Sequence, residues 1–238
     1  MNTLEMWMDY VDDLARDSRV LLFDYPRELK TNQAQAAGMH ALFETLGIQK
    51  PIWGASDGGM VAQIYVQKYH GETGGLVLIS TGGMDERTLR SLKKKYRLAP
   101  LMLWYMKHCN YEKLKPRLIR ASLSHLRNES PEEIAYARDM FETIFRDYPQ
   151  EKDVHISTLL ADLMNQKPVT AADFSALAGN ILLILPDQDF FSGEMQQDLI
   201  GLMHQPKIVC VSGGHLGTVL KAEDDLRAIR AFLQEAEL

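Results

Sequence analysis

Five short apolar runs, each closed by turn residues and separated by helix-forming stretches, constrain this chain most. They are RVLLF at 19–23, PIW at 51–53, GLVLIS at 75–80, NILLIL at 180–185 and KIVCV at 207–211. Short, continuously apolar runs suit strands buried on both faces, as in a parallel sheet covered by helices. The run at 207–211 is the more exposed in pattern. Between the runs, residues 31–46 place Ala34, Ala37, His40, Ala41 and Leu46 near one helical face and stop at Gly47. Residues 57–69 follow the second run directly, and 223–237 carry Leu226, Ile229, Phe232 and Leu233 on one stripe. This alternation predicts an α/β fold around a parallel sheet.

Residues 83–175 interrupt the pattern with helical periodicities and no strand signal. A core of 1–82 and 176–238 is therefore expected, with 83–175 as a helical insertion. The insertion holds 16 Lys+Arg against 13 Asp+Glu, and within 87–127 twelve basic residues face only Glu112. The whole chain carries 26 Lys+Arg and 32 Asp+Glu, a formal charge of −6 that argues against a general nucleic-acid binder. Its longest wholly apolar run, LAPLMLWYM at 98–106, is far short of the ~20 residues of a membrane span. The opening MNTLEMWMDYVDDLARD has early acids and no signal-like apolar core. Cys109 and Cys210 fit neither a disulfide framework nor a thiolate metal site. A cytoplasmic location is expected, with no metal and no organic cofactor.

The sharpest local signal is PIWGASDGG at 51–59, where Gly54, Ser56 and Gly58 make G-x-S-x-G. At ordinary residue frequencies the pattern arises in roughly one chain of this length in twelve. What gives it meaning is its place at a strand end, opening a helix. A serine on such a bend projects its hydroxyl away from the sheet, and small neighbours let the two backbones pass closely. The helix beginning at Asp57 also directs N–H groups and its positive end toward an oxyanion. The plainer alternative makes Ser56 a helix N-cap.

A serine nucleophile needs a base, and the base needs an orienting acid. His215, in the glycine loop VSGGH past the last run, is the candidate base. His40, His70, His108, His125, His155 and His204 fall within helices or at their ends, where packing or solvent accounts for them. For the acid, LPDQDF at 185–190 offers Asp187 and Asp189. Asp189 is favoured because it lies further past the strand end. Either could instead cap the helix starting near Ser192, and Asp85 is a third option. Asp57 itself would oppose an oxyanion if its carboxylate turned inward. It could equally serve the helix dipole or recognise a cationic group. Arg90, Lys93, Lys94 and Arg97 suggest the contrary preference, an anionic substrate or membrane surface, or else a solvated face. Leu101, Met102, Leu103, Trp104 and Met106 suit an acyl pocket or helix packing equally.

With Ser56, Asp189 and His215 in that order, each at a strand end, the chain resembles the α/β-hydrolase superfamily, specifically its members with a helical cap. The resemblance covers 19–82 and 179–232 and puts 83–175 at the family's cap position. It implies a mostly parallel sheet flanked by helices and a serine hydrolase acting on a carboxylic ester, thioester or lactone through an acyl-enzyme. Ser56 would be the nucleophile, His215 the base and then acid, Asp189 the orienting acid, and the Asp57 N–H an oxyanion donor. No cofactor is implied. Epoxide hydrolases and haloalkane dehalogenases of this fold carry an aspartate where Ser56 stands. The implied partner is a small ester-like molecule, with no nucleic acid and no membrane span, and a homo-oligomer is compatible with the chain.

Two departures qualify the resemblance. The family's opening strands and the loop supplying the second oxyanion N–H find no counterpart, since the chain opens in an expected helix over 3–16. The sheet is expected to have a gap between 19–23 and 51–53. A chain shortened at its start is the first explanation, and a degenerate member the second. Losing one oxyanion donor costs about 10²–10³ in rate. The stretch DYPRE at 24–28 stands where relatives often have a Gly-x-Gly turn, and its DYP is similar to a maspardin-like branch containing adaptors. A non-catalytic binding protein is therefore the rival function.

Overall fold

The structure, a computed structural model, describes residues 4–49, 54–124, 126 and 129–236. A 3₁₀ turn at Leu4–Trp7 leads into α1 (Met8–Leu14), followed by α2 (Asn32–Leu46), α3 (Ser56–Lys68) and strand β1 (Leu76–Ile79). Five helices then intervene before the next strand: α4 (Glu86–Lys95), α5 (Ala99–His108), α6 (Tyr111–Leu123), α7 (Pro131–Arg146) and α8 (Gln150–Leu163). A 3₁₀ stretch, Ala171–Leu177, enters β2 (Ile181–Pro186). The chain finishes with α9 (Gly193–Leu202), β3 (Lys207–Val211), α10 (Gly217–Leu220) and α11 (Ala222–Glu235).

The strands are parallel in the order β1-β2-β3, with Leu76 opposite Ile181 and Leu182 opposite Lys207. Side chains alternate across this sheet. Leu76, Leu78, Ile181, Leu183 and Leu185 pack with Met39 and Phe43 of α2, Ile64 of α3 and Leu199 of α9. Val77, Ile79, Leu182 and Ile184 pack on the opposite face with Tyr10, Leu226, Ile229 and Phe232. Burial on both faces is what the unbroken apolar runs demand. At β3 the pattern loosens, and Ile208 is exposed at the sheet edge.

Local signals set the helix ends. The Thr31 hydroxyl accepts from the Ala34 N–H and starts α2, while Gly47 ends it at φ +63°. Ser130 and Glu133 form a reciprocal capping box on α7. Helices α5 to α7 build an apolar cluster of their own around Met106, Leu114, Phe141 and Phe145. The five-helix block is tied back to α2 through Asp162, which accepts from the Asn32 backbone N–H at 2.7 Å and its side-chain amide at 2.9 Å.

The run at 19–23 does not form the expected strand. It makes no ladder to any described strand, and Val20, Leu21 and Leu22 are exposed. Among the described residues the sheet continues beyond β1 as a single bridge between Ala55 and Ile79, and none of them forms a strand paired with 19–23. A strand is defined by its partner, and apolar composition cannot replace one. The run at 51–53 lies outside the described residues. Among the described residues, no helix is long and apolar enough to cross a membrane.

Candidate active site

The bend before α3 is tightly built. Ala55 bridges to Ile79, and the chain turns sharply into the helix with Ser56 at φ +50°, a conformation costly for a residue with a side chain. Gly54 at φ +129° lets this happen, since a Cβ there would sit 3.1 Å from the Gly59 backbone and from Leu78. Gly59 is the other close approach, with a Cβ placed 2.8–2.9 Å from Thr81. The Thr81 hydroxyl donates to the Ser56 carbonyl at 2.6 Å and braces the bend. Gln63 of α3 supports the neighbouring loop, donating to the Gly82 carbonyl at 2.9 Å and accepting from the Met84 N–H at 3.0 Å.

His215 lies on a single 3₁₀ turn after β3, aimed by Gly213 at φ +104° and Gly214 at φ +59°. Its Nε2 is 3.1 Å from Ser56 Oγ, and its Nδ1 is 2.7 Å from Asp189 Oδ1. The Asp189 side chain is 1% exposed and also accepts from the Phe191 N–H at 3.3 Å. An ionised carboxylate accepts only, so Nδ1 carries the proton and Nε2 is left to accept from the serine hydroxyl. Phe190 and Phe191 flank the imidazole, each ring centroid 6.2 Å away. Three residues spread over 160 positions of sequence thus form one hydrogen-bonded relay.

The other candidates go elsewhere. Asp187 is exposed, its backbone N–H bonded to Val211. Asp85 caps α4 by accepting from the Thr88 N–H at 2.9 Å. His40 stacks on Tyr69 and pairs with Glu72, while His204 bonds the Ala171 carbonyl. His70, His108 and His155 lie beside Asp173, the Trp104 carbonyl and Gln35 respectively, and His125 lies outside the described residues.

Asp57 lines the same cavity as Ser56 and His215. Burial pushes its carboxyl above the usual carboxylate range, opposed by the N–H groups of Asp57 and Gly58 and by His215. Tyr25 stands close by, its hydroxyl 3.6 Å from where a Gly58 Cβ would be, and burial followed by the Asp57 charge pushes its phenol up. Sequence reasoning passed over both Tyr25 and Gly59 as parts of the site. The doubled glycine at 58–59 was the available signal for the latter.

The cavity encloses about 810 Å³. Ser56 and His215 lie in it beside an apolar lining that includes Met60, Leu103, Met106, Phe141, Ile156 and Phe191. Met102, Leu103 and Met106 therefore reach the cavity, whereas Leu101 and Trp104 are exposed at 61% and 59%. A second hollow of about 600 Å³ between α1 and α11 is lined by Asp9, Asp12, Asp13 and Arg16 among others and holds no serine, cysteine or histidine. Among the described residues no group of three metal-ligating side chains converges.

A scan of known protein families returns no match, and no curated protein matches the sequence. Solved structures do match. MenH from S. aureus superposes with a TM-score of 0.79 at 14% identity, covering 98% of this chain and 90% of that one. The enol-lactonase from Burkholderia xenovorans gives 0.74 at 15% identity, covering 97% and 86%. A thermophilic esterase from Thermogutta terrifontis gives 0.67 at 22% identity, covering 98% and 86%. The layered parallel sheet, the helical block between β1 and β2 and these superpositions agree that the chain has the α/β-hydrolase fold.

Proposed function

We propose that this protein is a serine hydrolase acting on ester-like substrates, with the helices of 83–175 serving as a cap over the site. The observation that carries the reading is the unbroken relay Ser56–His215–Asp189, at 3.1 and 2.7 Å, with its serine on a strained bend. Strain is retained where the surroundings over-determine it, which is characteristic of functional positions. The esterase and lactonase among the structural neighbours support the same class of chemistry.

In this reading Ser56 Oγ attacks the substrate carbonyl while His215 Nε2 takes its proton. Asp189 holds the imidazole tautomer and stabilises the imidazolium. The tetrahedral oxyanion takes the Asp57 N–H at the start of α3, displacing the Asp57 carboxylate that this N–H serves in the free protein. His215 then returns the proton to the departing alkoxide or thiolate, and water repeats the sequence on the acyl-enzyme. The apolar walls favour a substrate with hydrocarbon on at least one side of its carbonyl.

Hydrolysis of short- and medium-chain p-nitrophenyl esters tests this, with Ser56→Ala as control. Turnover that falls to background in Ser56→Ala is the expected result. Turnover retained in that variant, or none in the folded wild type across this ester series, contradicts the reading and favours a binding role for the fold.

A further inference from the structure

The mouth of the cavity is unusual for a soluble surface. Leu98, Leu101, Met102, Trp104 and Tyr105 are exposed at 64, 61, 58, 59 and 41%. Positions 98, 101, 102 and 105 follow the i, i+3, i+4, i+7 rule that ordinarily turns a stripe inward. Here the stripe faces solvent. Leu98, Met102 and Leu160 are exposed and also line the cavity that holds Ser56, so the patch forms its rim. Contiguous apolar surface of this kind marks an interaction face.

Charge gives the partner. The last turn of α4 carries Lys93, Lys94 and Lys95, and Arg97 follows one residue on, after Tyr96. Arg87 is neutralised by Glu194 and Asp198, and Arg90 by Glu86. Among the described residues, Lys93, Lys94 and Arg97 have no carboxylate within ion-pairing distance. Lys95 lies over the Phe190 ring at 3.8 Å, beside His215. Exposed Trp, Tyr, Leu and Met bordered by unpaired cations is the composition of a surface that sits at a lipid interface. Nucleic acid would leave the apolar stripe unexplained, and an isologous second copy would set these cations near their own kind.

We propose that the face formed by α5 and the end of α4 docks on an anionic lipid bilayer, so that amphipathic esters enter the cavity from the membrane. The choice of substrate rests on the serine-hydrolase reading; the docking does not. The test is sedimentation of the full chain with vesicles of phosphatidylcholine and phosphatidylglycerol, beside vesicles of phosphatidylcholine alone. The protein should pellet with the anionic vesicles, and high salt should release much of it. Lys93→Glu/Lys94→Glu changes the charge by about four units and should weaken partitioning roughly 600-fold, at roughly fivefold per unit charge near an anionic surface. Leu101→Ser/Trp104→Ser should weaken it about tenfold by removing inserted apolar area. None of these four residues lines the cavity, so turnover of a soluble short-chain ester should match wild type while turnover of a vesicle-embedded ester falls. Failure of the wild type to pellet, equal pelleting on both vesicle types, or either double variant pelleting like wild type overturns the proposal. A dimer dispersed by Leu101→Ser/Trp104→Ser, without vesicle binding, would instead assign the face to self-association. Loss of ester turnover with docking intact would count against the hydrolase reading alone.

Discussion

A single residue, Gln188, separates Asp187 from Asp189, and the turn after β2 sends their side chains to different places. Asp189 is buried against His215 at 2.7 Å, whereas Asp187 is exposed. Asp189→Asn should therefore lower kcat by about 10³–10⁴, because the amide can donate to Nδ1 and stabilise the wrong tautomer. Asp187→Asn should stay within about twofold, since its charge is solvated. Steady-state kinetics on one ester decides, and the reverse ranking would move the acid. The glycines divide in the same way. Gly59→Ala drives a methyl to 2.8 Å from Thr81 and should cost about 1–3 kcal/mol by overpacking. Gly58→Ala meets only ordinary contact at 3.6 Å, in a helix that prefers alanine, and should gain up to about 1 kcal/mol. Urea unfolding midpoints check both; equal effects would mean the close approach at Gly59 is relaxed.

Among the elements, α1 and α11 meet over a buried polar pair. The Tyr10 hydroxyl donates to Asp225 at 2.8 Å and approaches the Thr218 carbonyl at 2.8 Å, just past the His215 turn. Burial raises Asp225 from 3.8 to about 6, with Asp224 adding to the rise and Tyr10 opposing it. The folded chain thus holds this proton to higher pH than the unfolded chain does. Below both values the two states match; as pH rises from about 4 to about 6 the unfolded chain releases its proton first, and stability falls. A shift of about two units corresponds to a loss of about 3 kcal/mol. Asp225→Asn keeps an acceptor for Tyr10 and carries no charge, so its stability should be flatter over that window and higher at pH 7. Melting curves between pH 4 and pH 7 measure this, and an asparagine variant less stable than wild type at pH 7 would contradict it.

Across the whole molecule, what the sequence made legible depended on whether a feature carries its own partner. GLVLIS and NILLIL become β1 and β2 because each is apolar on both faces and lies beside the other. RVLLF is as apolar, yet among the described residues no strand pairs with it, and Val20, Leu21 and Leu22 are exposed. Thr31 and Gly47 bound α2 by local chemistry and could be read directly. The helical character of 83–175 was equally plain, but not which of its residues meet the cavity, because that depends on packing among helices distant in sequence. Met106 points inward and Trp104, two positions earlier, points to solvent. The order Ser56, Asp189, His215 was visible as a pattern of strand ends. The burial of Asp57 and the approach of Tyr25 to Gly58 join segments distant in sequence and exist only in the folded chain.

Hydrolysis by this molecule depends, in the proposed function, on His215 activating Ser56. Labelling of the intact protein with a fluorophosphonate, followed by mass spectrometry and peptide mapping, tests it most directly. One adduct is expected, on Ser56, absent in Ser56→Ala and formed at least about 100-fold more slowly in His215→Ala. A folded wild-type protein that takes no adduct, or takes it at the same rate without His215, would contradict it.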